Sequence, residues 1–183
     1  MKLPPIKRAA VIAAGSVLFF LLGAFVSIPS PIETVNICVQ YGWLAFLSVV
    51  CGPLTGTLVG LLGHIGIDLY FGELCWSWII ASSAFGGFLG VLTSAIGLRI
   101  TDRLQETLIR FNLCQVAVHV VCWAGLAPVL EILLYSENMD RIFEQGLTAA
   151  LSNAVTTAIV GSLLLKLHTL QKKRKTDHFV CFF

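Results

Sequence analysis

Long apolar stretches separated by short polar segments run the length of this chain. The pattern predicts six membrane-crossing helices, over residues 9–26, 36–50, 54–70, 76–98, 113–135 and 142–167. The second is short and contains Gln40 and Tyr41, so its apolar signal is the weakest of the six. In the third, Gly52, Gly56 and Gly60 recur every four residues with Gly63 beside them, a small-residue row that predicts close helix packing. His64 and Asp68 continue the four-residue spacing and face nearly the same way as the row. Counting about 1.5 Å per residue from Pro53, His64 lies roughly 16 Å along the helix, near the bilayer middle. Asp68 lies roughly 22 Å along, in the outer half. Ionisable groups at such depths cost a few kcal/mol unless they face protein, water or a ligand.

Composition sharpens this picture. The 183 residues are 57% hydrophobic and 12% charged, and the mean hydropathy is +0.88. An ordinary soluble domain carries about 25% charged residues, so the chain reads as an all-α polytopic membrane protein. Six spans leave no room for a soluble catalytic domain, and any energy source must come from another chain or an ion gradient. The basic start followed by a long apolar run reads as a retained first span, because the run exceeds the usual signal-peptide core. The six cysteines have no metal-site spacing and read as buried thiols.

Charge sets the expected topology. With both termini cytoplasmic, eleven of the twelve basic residues fall inside and only Arg141 falls outside. Glu33, Asp68, Glu73, Glu137 and Asp140 sit at or near the outer ends. The connection at 99–112 places Ile100, Leu104, Leu108 and Phe111 at helical spacing among charges. That suits either an interfacial helix or a docking surface, and equally a charged connection with its apolar side on the membrane. Residues 1–171 form the expected membrane domain. Residues 172–183 form a basic cytoplasmic tail whose Lys172, Lys173, Arg174 and Lys175 attract anionic lipid. Nothing in the pattern suggests nucleic acid.

Intramembrane polar groups concentrate in the outer half, which favours an outward-facing small-molecule site. Candidate wall residues are Asn36, Tyr41, His64, Asp68, Trp76, Trp78, Glu131, Gln145 and Asn153. Aromatic rings would stack on a flat ligand while amides and carboxylates pair with its heteroatoms. His64 is equally compatible with a buried imidazole bonded to a neighbouring helix, and Gln145 and Asn153 with interhelical hydrogen bonds. Pro128 breaks the ladder of the fifth span, a defect best tolerated beside a cavity. No further ligands surround His64 to make a metal site, and no cofactor motif is present. An acid/base enzyme built on His64 and Asp68 lacks an evident nucleophile, since Ser82, Ser83 and Ser152 are isolated in sequence. An ion-coupled solo transporter titrating Asp68 or Glu131 is the other alternative.

Two stretches carry a family resemblance: GPLTGTLVGLLGHIGIDLYFG with the following WSWII, and LAPVLEILLYSENMDRIFEQGLTAALSNAVTTAIVG. Together they resemble the substrate-binding S components of energy-coupling factor vitamin transporters, most closely the uncharacterised riboflavin-type family. The resemblance covers nearly the whole chain. It implies a six-helix plasma-membrane protein that binds riboflavin or a related vitamin from outside. It also implies association with a transmembrane coupling subunit and two cytoplasmic ATPases. Ala9, Ala10, Ala13 and Ala14, on the first helix, are the contact the resemblance implies for the coupling subunit. The absence of a G-x-x-x-x-G-K-[ST] loop agrees with that division of labour.

Overall fold

The computed structural model describes residues 4–29, 36–98 and 103–180, with side chains to Lys172. The helices are α1 (Pro5–Phe25), α2 (Gln40–Cys51), α3 (Pro53–Phe71), α4 (Trp76–Ala95), α5 (Leu104–His119), α6 (Ala127–Tyr135) and α7 (Met139–Val180). A π-helical segment, Val120–Leu126, joins α5 to α6 into one continuous rod. Two short strands, β1 (Ile28–Pro29) and β2 (Asn36–Ile37), pair antiparallel between α1 and α2. Proline opens α1 and α3, where its missing N–H is an orphan in any helix.

Burial is inverted relative to a water-soluble protein. Leu62, Val91, Val116, Val155, Ile159 and Leu163 are exposed, whereas Gln40, Asp68, Gln115, His119, Glu131 and Asn153 are buried. Apolar surface outside and polar groups inside is the arrangement a hydrocarbon solvent dictates. Among the described residues, five helical rods are long and apolar enough to cross a membrane: α1, α3, α4, the α5–α6 rod and α7.

The second expected span, 36–50, is an apolar helix as predicted but starts later. The ladder takes the backbone groups of Asn36 and Ile37, pairing them with Pro29 and Ile28, so the helix begins only at Gln40. Its 12 residues reach about 18 Å, short of the ~30 Å hydrocarbon layer. This short helix packs against α1, α3, α4 and α7. The fifth span is corrected as well, because its helix starts at Leu104 rather than 113. Phe111 is fully buried and Leu108 packs on the core, so this part of the apolar stripe faces protein. Glu106 pairs with Arg110 at 2.6 Å along the solvent side of the same helix. Ile100 lies outside the described residues.

The glycine row does what its spacing predicts, with one exception. A Cβ at Gly56 or Gly60 would strike backbone of Gly86 or Ser82 on α4, and one at Gly63 would strike Phe19 on α1. Gly90 sits against Pro53 in the same seam. Gly52 is the exception. With φ +92 and nothing near it, it is the turn between α2 and α3, a backbone shape that side chains disfavour.

Candidate functional site

The end of the bundle holding the α1–α2, α3–α4 and α6–α7 connections contains a cavity of about 340 Å³. That lies within the roughly 300–1,000 Å³ range of small-molecule sites. Gly23 and Ser27 from the end of α1, Asn36 and Cys38 beside β2, and Gln40 and Tyr41 from α2 line one side. His64, Ile67, Asp68 and Phe71 from α3 line the next, followed by Cys75 and Trp78. Trp123, Ala149 and Asn153 close it.

The α3 side is internally satisfied. His64 Nδ1 lies 2.5 Å from the Ser82 hydroxyl, which also meets the Tyr41 hydroxyl at 3.0 Å. His64 Nε2 is 3.5 Å from Asp68 Oδ1, and Asp68 Oδ2 accepts the Cys75 backbone N–H at 2.9 Å. The series Tyr41–Ser82–His64–Asp68–Cys75 thus ties α2, α4, α3 and the α3–α4 turn together. Gly72, at φ +83, ends α3 and lets the chain fold back for that last bond.

Ser82 is therefore not isolated, as the sequence implied. It stands in line with His64 and Asp68 in the order of a hydrolase triad. Yet it is fully buried, is already shared with Tyr41, and does not line the cavity. A nucleophile must reach its substrate, so the array serves to position groups.

The opposite side differs. Gln40 Oε1, Trp123 Nε1 and Asn153 Oδ1 are buried polar atoms without a hydrogen-bond partner among the described residues, and all three residues line the cavity. Natural interiors leave few such atoms, because each costs about 1–3 kcal/mol. Trp123 stacks on Trp78 with ring centres 5.3 Å apart and meets the edge of Tyr41 at 5.0 Å. It belongs to the π-helical segment, where the Ala127 N–H reaches back five residues to the Cys122 carbonyl. Pro128, lacking an N–H, follows immediately. The widened turn accommodates it and leaves the Trp123 carbonyl against Gly146 of α7.

Six of the nine candidate wall residues, Asn36, Tyr41, His64, Asp68, Trp78 and Asn153, line this cavity. Trp76, Glu131 and Gln145 do not. Trp76 is half exposed at the start of α4, its backbone N–H bonded to the Tyr135 hydroxyl. Glu131 is buried behind the cavity, accepting from the Ser77 hydroxyl and, at 3.1 Å, from the Cys75 thiol. Burial pushes the Cys75 thiol up to about 11, which keeps it protonated as that donor. Gln145 is buried near the start of α7, two turns from Asn153.

Trp123 and Gln40 also line the cavity, although neither is among the candidate wall residues. Trp123 sits in an apolar run, and its one sequence trace is Pro128 five residues on. Gln40 was visible as a polar residue in a weak span. Cys38, Cys51, Cys75, Cys114 and Cys122 are free thiols. Ala9, Ala10, Ala13 and Ala14 are all exposed on α1, while Gly15, Ser16 and Phe19 turn inward.

The sequence profile of the family described as ECF-type riboflavin transporter, S component, matches residues 5–171. A UPF0397 protein of Enterococcus faecalis is 38% identical over 171 residues, covering 93% of each chain. A UPF0397 protein of Lactococcus lactis is 37% identical over 175 residues, 95% of this chain and 96% of its own. One from Staphylococcus aureus is 33% identical over 171 residues, 93% of each. The matched family is one of transport subunits, not of enzymes. A multi-pass helical bundle, a ligand-sized cavity at one end and a profile match running almost end to end agree: this chain belongs to the ECF-type riboflavin transporter S component family.

Proposed function

We propose that this protein captures riboflavin or a related aromatic vitamin from the outer side of the plasma membrane and delivers it to an ATP-driven uptake complex. S components work with a membrane coupling subunit and ATPases, and here two ATPases drive the cycle from the cytoplasmic side. The observation that carries the reading is the Trp78–Trp123 pair on the wall of the cavity. Stacked aromatic surface beside unpaired amide oxygens suits a flat, heteroatom-rich ligand.

Orientation follows from charge. Lys7, Arg8, Arg103, Arg110, Lys166 and Lys172 lie toward the end opposite the cavity, which makes that end cytoplasmic and both termini internal. The basic tail then meets anionic lipid on the inner face. Asn36, Tyr41, His64, Asp68, Trp78 and Asn153 contact the ligand. Glu131 and Gln145 support the wall from behind, and Trp76 sits at the rim. The exposed alanines of α1, with no side chain beyond Cβ, form the surface that meets the coupling subunit.

Purification without added ligand, followed by flavin absorbance and binding by flavin fluorescence quenching, tests the riboflavin assignment. A yellow preparation or saturable quenching is expected. A colourless protein that leaves flavin emission unchanged removes riboflavin as the ligand. For docking, Ala13→Leu is expected to abolish uptake into cells while leaving binding by the purified protein unchanged. Normal uptake by that variant would overturn the α1 contact.

A further inference from the structure

We infer that the cavity discriminates by charge: it admits flat heteroaromatic molecules that bear N–H groups and no anionic group, and it rejects their phosphorylated or carboxylated counterparts. This rests on the vitamin-binding reading above and adds the chemical class of ligand. Three observations carry it.

First, no lysine or arginine lines the cavity among the described residues. The sequence between the two strands, residues 30–35, contains neither residue type. A phosphate or carboxylate entering here would find no cation to replace its hydration, and an unpaired buried anion is costly.

Second, Asp68, the one acidic lining group among the described residues, has no Lys or Arg side chain beside it there. Its partners are the Cys75 backbone N–H and the edge of His64. Its field therefore extends into the cavity, where low dielectric strengthens repulsion of a second anion and attraction of an N–H or a cation.

Third, the fully buried polar atoms left unpaired on the facing wall include two amide oxygens and one indole N–H. Gln40 Oε1 and Asn153 Oδ1 both require donors, and Trp123 Nε1 requires an acceptor. The complementary molecule presents at least two N–H or O–H groups and one acceptor at its edge. Amino- and imide-bearing rings meet that description.

Isothermal titration calorimetry on the purified full-length protein with matched pairs tests the inference. The pairs are riboflavin and its 5′-phosphate, thiamine and its monophosphate, pyridoxine and its 5′-phosphate, and nicotinamide and nicotinate. At least one parent compound is expected to bind, with its anionic counterpart about 100-fold weaker or more. An anionic member that binds as tightly as its parent overturns the charge rule while leaving the vitamin-binding reading standing. If none of the eight compounds binds, that reading itself falls, and the charge rule with it. Asp68→Asn is expected to narrow the gap between parent and anion to under about tenfold. Because that change also loosens the α3–α4 turn, Asn153→Asp provides the reverse arm. A second carboxylate should widen the gap, and an unchanged gap in both variants overturns the role given to the wall's charge.

Discussion

The two walls of the cavity are built on opposite principles. The wall on α3 and α4 is closed on itself: glycines bring the backbones together, and Tyr41, Ser82, His64, Asp68 and the Cys75 amide satisfy one another. The wall formed by the start of α2, the π-helical segment and α7 leaves Gln40, Trp123 and Asn153 each with an unpaired polar atom. Evolution can place polar groups in a membrane interior for two reasons, to hold helices or to hold something else. A fully paired group does the first, and a buried unpaired group facing a cavity is free for the second. The difference separates a side whose polar groups are spent on one another from a side whose buried polar atoms face the cavity unpaired.

The strongest way to break the contrast is to force the closed wall open. A Cβ at Gly86 would run into the Gly56 backbone, which cannot rotate aside as a side chain would. Gly86→Val is therefore expected to cost at least about 3 kcal/mol, and the protein should aggregate or elute as a broad species in size-exclusion chromatography. Gly66→Ala is the matched control, because its Cβ would meet Phe20 at an ordinary 3.5 Å. It should leave the elution profile unchanged and raise thermal stability slightly, since alanine favours helix over glycine by up to about 1 kcal/mol.

A finer comparison removes one polar group from each wall. Ser82→Ala strands both the Tyr41 hydroxyl and His64 Nδ1, and should lower ligand-free stability by about 1–3 kcal/mol in a thermal-shift assay. Asn153→Ala removes an acceptor that has no protein partner, and should leave ligand-free stability within about 0.5 kcal/mol. Its effect should appear in ligand affinity. Equal destabilisation by the two changes would erase the distinction between the walls.

The smallest effect concerns the turn that joins the walls. The Cys75 thiol is pushed up to about 11 by burial, and only the thiolate is nucleophilic. In a variant retaining Cys75 as its sole cysteine, maleimide labelling should be slow at neutral pH and rise about tenfold from pH 8 to pH 9. An ordinary thiol near 8.5 would rise only about threefold over that interval. A threefold rise would mean that the turn is open rather than held between Asp68 and Glu131.

Much of this was legible in the residue pattern. The small-residue row of α3 announced close packing, because only glycine lets backbones approach where lipid supplies no hydrophobic drive. Six of the nine candidate wall residues, among them His64, Asp68 and Asn153, line one cavity, because polar residues inside apolar spans must face inward. Helix boundaries were less legible. The sequence at 36–50 reads as one apolar run, and nothing local reveals that Asn36 and Ile37 pair with β1. The stripe at Leu104, Leu108 and Phe111 likewise has the same period whether it faces lipid or protein.

By itself, then, the sequence determined the solvent, the all-α membrane class, the charge asymmetry between the two ends and the family. Each of these depends on composition or on spacing along a single helix. Tertiary structure decided which polar groups are spent on one another and which remain unpaired. Ser82 and Trp123 illustrate the point. Along the chain Ser82 is an isolated serine, until α2, α3 and α4 converge on it. Trp123 is one more ring in an apolar run, until a π-helical turn before Pro128 swings it onto Trp78 at the cavity wall. Hydrogen-bond satisfaction is a property of pairs brought together from distant parts of the chain, and no local pattern encodes it.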